Sequence, residues 1–247
     1  MTTLKEFNRY GEELEKILLL RTSPIAVKML RKEADVPAGA FRPKKDRGYH
    51  LAQCQTFAMS RREGVTVAML KEDHWCPAAL MAYGMVPKPK SSAPVKNDPY
   101  ECFEYGKYIG IVTAPLKTAD FKPDVVIIYS NTSQLRSLLL SLSYDEKQLV
   151  NGRFFPPSCS HAVVTPMLKG NYWVVLPDPG EYQRALGDEG EMMFAVPAAK
   201  MPGLISDLAR FQDQGFAYRN HNMLLLPDFP RPDFYKKMFK EWGLEDY

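Results

Sequence analysis

Four cysteines in this 247-residue chain could bind a metal or act as nucleophiles: Cys54, Cys76, Cys102 and Cys159. They lie far apart along the chain, and no two of them form a C-x-x-C pair. Zinc ribbons and ferredoxin-type clusters are usually built from such pairs, so the spacing alone does not indicate a metal site. Because free cysteine is among the most buried residue types, packing in the core remains the alternative at each position.

The residues around each cysteine indicate different roles for the four cysteines. Cys76 precedes Pro77, a residue favoured at the first position of a helix, so Cys76 is predicted to cap a short helix. Free amides and the helix dipole at that place stabilise a thiolate. Cys159 follows two prolines in the rigid polar segment "FFPPSCSHA", and Cys54 lies on the inward side of a predicted helix. Cys102, among the aromatic residues of "PYECFEYG", is typical of core packing.

A second group of residues could bind an anion. Asn131, Thr132 and Ser133 follow the most apolar predicted strand and open a helix. Ligands of open α/β sheets bind beyond the carboxyl ends of strands, where helix amides bind anions. Simple helix capping explains the same three residues equally well. Arg61 and Arg184 could pair with an anionic substrate, with a surface role as the alternative.

Several classes of function find no support in the sequence. Neither a G-x-G-x-x-G nor a G-x-x-x-x-G-K-[ST] motif is present, so no nucleotide site is predicted. The net charge of +3 is too small to indicate a nucleic-acid binder. No apolar stretch reaches the roughly 20 residues of a membrane span, and the charged N-terminus does not resemble a signal peptide. We therefore expect a cytoplasmic protein with reduced thiols and without membrane or nucleic-acid partners.

The elements that must position these residues alternate between helices and strands. Amphipathic helices are predicted for residues 3–20 and 231–242 as peripheral elements. Further helices are predicted for 49–64, 77–84, 98–106, 131–145 and 200–213, and strands for 23–30, 65–70, 109–116, 123–130 and 191–197. Residues 161–168 and 171–177 are predicted to pair as a hairpin. This order favours an α/β or α+β class, with residues 1–247 forming a single mixed-sheet domain flanked by helices.

The segments "SPIAVKML", "CQTFAMSRREG", "CPAALMAYGM", "PDVVIIYSNTSQL", "GRFFPPSCSHAVVTP" and "DEGEMMFAVP" occur in one order along the chain. From about residue 20 to 215 the chain resembles the prokaryotic family called domain of unknown function 169, which is common in anaerobes. That family carries cysteines that match Cys54, Cys76 and Cys159. Where the family usually has Ala-Arg-x-Gly, this chain has Ser60-Arg61-Arg62-Glu63-Gly64. The turn in "PDPGEYQRAL" keeps Gly180 and Arg184 but lacks the cysteine that many members have.

The resemblance singles out three cysteines and leaves Cys102 aside. It implies that Cys54, Cys76 and Cys159 converge in the fold and bind an iron–sulfur cluster or another metal cofactor, because three thiolates leave one coordination position open. A fourth ligand could be His74, His161 or Cys102. In an extended segment, His161 would point to the same side as Cys159. Nucleophilic catalysis by Cys159 and His161 is disfavoured, since neighbours in an extended segment do not meet as nucleophile and base.

Three functions remain open at this point. The first is a cofactor protein with a redox role and an electron-transfer partner. The second is a cofactor-free enzyme or binder of a small anionic ligand, in which the cysteines only pack. The third is a non-catalytic interaction protein or homo-oligomer that docks another subunit through its C-terminal aromatic residues, Phe234, Tyr235, Phe239 and Trp242.

Overall fold

The computed structural model of the protein describes residues 2–89, 100–146, 149–213, 218, 231 and 233–244. Within them, seven strands belong to one sheet: β1 (Ile25–Leu30), β2 (Val67–Leu70), β3 (Gly110–Pro115), β4 (Val125–Asn131), β5 (Asn151–Arg153), β6 (Trp173–Val175) and β7 (Glu191–Pro197). Their order across the sheet is β2-β3-β1-β4-β7-β6-β5. Neighbouring strands are antiparallel, except that β5 and β6 are parallel. The sheet is therefore mixed, as the sequence predicts.

The helices of the described ranges are α1 (Leu4–Leu18), α2 (Pro43–Arg47), α3 (Gln53–Ala58), α4 (Pro77–Ala82), α5 (Thr132–Glu146), α6 (Ser158–Lys169), α7 (Pro179–Arg184), α8 (Met201–Phe211) and α9 (Asp233–Glu241). A π-helical turn, Met59–Glu63, continues α3 and ends at Gly64, which has a φ of 78°. Helix α1 begins with a capping box: Thr3 accepts from the Glu6 amide at 3.3 Å, and Glu6 accepts from the Thr3 amide at 2.7 Å.

Two apolar clusters cover the two faces of the sheet. On one face, α1, α5 and α8 pack against strand residues such as Val126 and Ile128. On the other face, α3, α4 and α6 pack against residues such as Val125 and Ile127. Successive strand residues point to opposite faces, so strands that are apolar throughout can support both clusters. The helices on both faces complete the predicted α+β architecture.

The segment predicted as the first strand of a hairpin is helical. Residues 161–168 lie within α6, and the predicted turn at Gly170 is the left-handed C-cap of that helix, with a φ of 62°. The pair Val163–Val164 favours a strand locally, yet both side chains are fully buried against the sheet. Packing therefore outweighs local propensity here. Strand β6 pairs instead with β5 and β7.

Two other predictions have different outcomes. Residues 100–106 form no helix, and the rest of the predicted helix at 98–106 lies outside the described residues. The predicted C-terminal helix is present as α9, but no residue of it is buried. Phe234 and Tyr235 in this helix and Trp242 just after it are 42%, 46% and 63% exposed. Among the described helices, none has both the length and the apolar character of a membrane span.

Candidate functional site

Three cysteines that are distant in sequence lie in one region of the fold, each at the start of a helix. Cys54 is the second residue of α3, Cys76 is the N-cap of α4, and Cys159 is the second residue of α6. Cys54 and Cys159 are buried in the apolar cluster on one face of the sheet, and half-buried Cys76 packs against it. Negative charge on Cys54 or Cys76 acts on the Cys159 thiol. We call these three residues the cysteine site.

Backbone hydrogen bonds hold the starts of α3 and α4 together. The amide of Leu51, just before α3, donates to the carbonyl of Asp73 at 3.1 Å. The amide of Trp75 donates to the carbonyl of Leu51 at 2.8 Å. This pair of bonds fixes Cys76 relative to Cys54, although 21 residues of chain between them include strand β2.

The start of α6 is held by a side chain from the start of α7. One carboxylate oxygen of Asp178 accepts from the Ser158 amide at 2.7 Å, and the other accepts from the Gly180 amide at 2.7 Å. Asp178 therefore caps α7 and, with the same carboxylate, orients the first turn of α6, which carries Cys159. Tyr83, fully buried at the end of α4, adds a bond from its hydroxyl to the Cys159 carbonyl at 3.3 Å.

Burial keeps the Cys54 and Cys159 thiols protonated in the absence of a cation. It raises the pKa of Cys54 to about 11, and the nearby Glu181 carboxylate adds to this shift. Burial also raises the pKa of Cys159 well above its usual value, with smaller contributions from Cys54 and Glu181. A nucleophilic cysteine requires a lowered pKa, so this environment is the opposite of that around an activated thiol. It is compatible with thiols that ionise only on binding a metal.

Arg184, at the end of α7, brings positive charge to the cysteine site. Its guanidinium lies beside the Cys54 thiol and within electrostatic range of Cys76. It also stacks over the indole of Trp75, with the guanidinium carbon 5.2 Å from the ring centre. Among the residues that the structure describes, no carboxylate forms an ion pair with Arg184. Within that part of the chain its electrostatic neighbours are Cys54, Cys76 and Asp178.

A buried polar chain leads away from the cysteines. The hydroxyl of Tyr129 donates to Glu181 at 2.9 Å, and the Arg61 guanidinium lies 3.9 Å above the Tyr129 ring. Arg61 in turn makes a two-pronged ion pair with Glu191, at 2.7 and 2.9 Å. Burial raises the pKa of Glu181 to about 7, opposed mainly by the Tyr129 hydrogen bond. This chain gives the site a carboxyl group that can exchange a proton near neutral pH.

The residues predicted to bind an anion are engaged within the fold. The Glu191 carboxylate neutralises Arg61, so an anion would have to displace a buried ion pair. Asn131 caps α5: its side chain accepts from the Gln134 amide at 2.8 Å, and Gln134 accepts from the Asn131 amide at 2.8 Å. The predicted anion ligands Thr132 and Ser133 lie in the first turn of α5. Of the predicted anion-binding residues, only Arg184 is placed beside the cysteines.

The candidates for a fourth ligand are placed differently from each other. The extended segment assumed for His161 is helical, so His161 and Cys159 are separated by roughly 200° around α6. The buried His161 ring lies instead against Phe155, with 6.1 Å between ring centres. Neither ring nitrogen of buried His74 has a hydrogen-bond partner among the described residues. Cys102 lies in the loop before β3, where its thiol donates to the Tyr100 carbonyl at 3.6 Å.

Within the described ranges, no set of three or more histidine, cysteine, aspartate and glutamate side chains is arranged to hold a metal ion. The residues that the sequence did not single out are Tyr83, Tyr129, Asp178 and Glu181. The pair Asp178 and Glu181 has the spacing of a capping box, which is a visible sequence signal. Only Asp178 acts as the cap, because Glu181 turns inward to Tyr129.

The comparison with protein families gives one match. The model of a family described as uncharacterised ArCR, domain of unknown function 169, matches residues 13–98 and 92–207. The chain belongs to this family. All three members of the cysteine site, together with Arg184, lie within the matched residues. Neither the comparison with curated proteins nor that with solved structures gives a match.

Proposed function

We propose that this protein binds an iron–sulfur cluster, or another thiolate-ligated metal cofactor, through Cys54, Cys76 and Cys159 and has a redox role in the cytoplasm. The observation that supports the proposal is that three cysteines from the starts of α3, α4 and α6 pack against one apolar cluster, with Cys54 and Cys76 both in electrostatic range of Cys159. Thiolates are the ligands that iron–sulfur clusters use, and three of them leave one coordination position open.

The environment of the thiols favours a cofactor over a cysteine nucleophile. Burial raises the pKa of Cys54 and Cys159, which leaves both thiols neutral and unreactive near pH 7. A bound metal reverses this effect, because its charge compensates the buried thiolates and releases their protons. Cys76 reaches the surface, so the site is partly open to solvent or to a partner. Electrons would be exchanged with such a partner.

Besides the three cysteines, three side chains would lie near a cofactor bound at this site: Arg184, Tyr83 and Glu181. Arg184 supplies positive charge against the thiolates, and Tyr83 holds the backbone of Cys159 in place. Glu181, whose pKa burial raises to about 7, can take up or release a proton as the charge of the site changes. An iron–sulfur cluster would supply one-electron chemistry, and these residues would control its charge and exposure.

Cysteine variants of protein prepared without oxygen test the proposal. We expect wild-type protein to be brown, with visible absorption that Cys54→Ser, Cys76→Ser and Cys159→Ser each remove or strongly reduce. Cys102→Ser is the matched control, because it removes the remaining cysteine of the chain and should leave the absorption unchanged. Each variant is checked for folding by its far-ultraviolet circular dichroism.

Two results would count against the cofactor. A wild-type protein without visible absorption, after reconstitution with iron and sulfide under anaerobic conditions, would favour cysteines that only pack. Absorption that survives each serine substitution at the cysteine site would show that a bound cofactor has other ligands. In the first case the cofactor-free binder of a small anion would become the preferred function, and in the second the cysteine site would be rejected as the ligand set.

A further inference from the structure

The environment of Arg184 differs from that of the other arginines described near the cysteine site. Arg61 forms a two-pronged ion pair with Glu191, and Arg62 donates to the carbonyl of Leu186 at 2.7 Å. Arg184 lies beside a thiol that burial keeps neutral, and it has no ion pair with any residue of the described ranges. Within the described ranges its guanidinium contacts the Cys54 thiol and the Trp75 ring and lies in electrostatic range of Asp178, but it forms no ion pair, so its remaining N–H groups can donate to a ligand.

Two residues border this exposed guanidinium on different sides. Trp75 provides a flat surface beneath it, and this indole is itself 60% exposed. Gly180 provides space on another side: a Cβ atom at residue 180 would collide with a terminal nitrogen of Arg184 and would approach the Asp178 carboxylate to 2.9 Å. The position of Arg184 therefore depends on the absence of a side chain at residue 180.

We propose that Arg184 and Trp75 form a binding site for a small carboxylate or oxyanion next to the cysteine site. The planar fork of a guanidinium matches two oxygens of such an anion, and an aromatic face beneath the fork keeps its donor edge accessible. The anion would lie beside Cys54 and Cys76, next to the coordination position that three sulfur ligands leave open. The placement next to a cofactor rests on the proposed function, and the inference adds that small carboxylates or oxyanions are the ligands that would approach that cofactor.

The anion site can be tested on cofactor-free protein by tryptophan fluorescence. Acetate and sulfate are titrated at constant ionic strength, and we expect a saturable change in the wild-type signal. Trp75→Phe should remove that change, because Trp75 is the tryptophan on which the Arg184 guanidinium stacks. Arg184→Gln should weaken binding at least about tenfold, as expected for the loss of a charged hydrogen-bond donor.

Two further variants distinguish the effect of the position of the Arg184 guanidinium on anion binding from the effect of the overall charge of the protein. Gly180→Ala retains Arg184 but displaces its guanidinium, so we expect it to weaken binding as well. Arg9→Gln removes an equal charge from α1, on the other face of the sheet, and should leave the affinity within twofold of wild type. Urea unfolding of each variant shows whether it remains folded under the titration conditions.

The proposal is overturned if neither anion changes the wild-type fluorescence. It is also overturned if folded Arg184→Gln binds both anions as tightly as wild type, or if Arg9→Gln weakens binding equally. A wild-type protein that lacks iron but binds anions through Arg184 would reject the cofactor and retain the anion site.

Discussion

Glu181 illustrates at the scale of one residue how the fold sets chemistry near the cysteines. Its buried carboxyl accepts from Tyr129 through one oxygen, while the other oxygen has no hydrogen-bond partner among the described residues. Burial, with repulsion from Asp178, raises its pKa from about 4.5 to about 7. The folded protein therefore favours the protonated acid over a pH range in which the unfolded chain carries a carboxylate.

This shift predicts a pH dependence of stability. Between about pH 4.5 and 7 the folded state binds more protons than the unfolded state, so the free energy of unfolding falls as the pH rises. Glu181→Gln cannot ionise and should escape this loss, which amounts to at most about 3 kcal/mol for one residue. Urea unfolding of cofactor-free protein at pH 5 and pH 8 measures it. Exposed Glu189→Gln is the control.

The expected result is that Glu181→Gln gains stability relative to wild type between pH 5 and pH 8, whereas Glu189→Gln does not. A difference between Glu181→Gln and wild type that is the same at both pH values would show that Glu181 does not titrate in this range. The sequence could not indicate this behaviour, because the pKa depends on burial and on Tyr129, which is 52 residues away.

At the scale of elements, the sequence predicts the central strands and the first helix well. Runs such as Val125–Asn131 are continuously apolar over most of their length, and only burial on both faces of a sheet accounts for that pattern. For residues 161–168 the sequence predicts a strand in place of α6, because the β-branched residues and Pro166 disfavour a helix locally. The short elements β5 and α7 were not predicted, since three to six residues carry little periodic signal.

The proximity of the three cysteines also depends on how these elements pack. The sequence predicts that Cys76 caps a helix, and the structure confirms it. Sequence spacing has no bearing on the distance between Cys54 and Cys159, because the intervening chain crosses the sheet several times. The resemblance to the family singles out the three cysteines that lie in this region of the fold. Their proximity depends on how α3, α4 and α6 pack together on one face of the sheet.

The ion pair between Arg61 and Glu191 connects the turn after α3 to the start of β7, and it predicts a large effect on stability. Arg61→Met leaves a buried carboxylate without its partner and should lower the free energy of unfolding by about 3–5 kcal/mol. Arg9→Met, which breaks the exposed pair with Glu13, should cost no more than about 1 kcal/mol. Urea unfolding at pH 7 measures both.

The double variant Arg61→Met/Glu191→Met serves as a further control in that experiment. It removes both charges, so it should recover much of the stability lost in Arg61→Met. If Arg61→Met costs no more than Arg9→Met, the buried pair does not hold these elements together. Arg61 would then be available to bind an anion, which is one of the two roles that the sequence allows.

At the scale of the whole molecule, one sheet separates two apolar clusters that differ in the types of side chain they contain. The cluster beneath α1, α5 and α8 is composed of apolar side chains such as Leu138 and Leu204. The cluster beneath α3, α4 and α6 includes two cysteines, and Cys76 packs at its edge. The site therefore lies on a well-packed framework, which favours a rigid set of ligands over thiols that move independently.

The most direct test of the central claim is an analysis of iron and acid-labile sulfide in the full chain purified without oxygen. The account predicts that both elements are present in a fixed ratio to protein, and that both are lost together in Cys159→Ser but retained in Cys102→Ser. Wild-type protein that contains neither element, even after anaerobic reconstitution, would contradict the claim that the three thiols share one iron–sulfur cofactor.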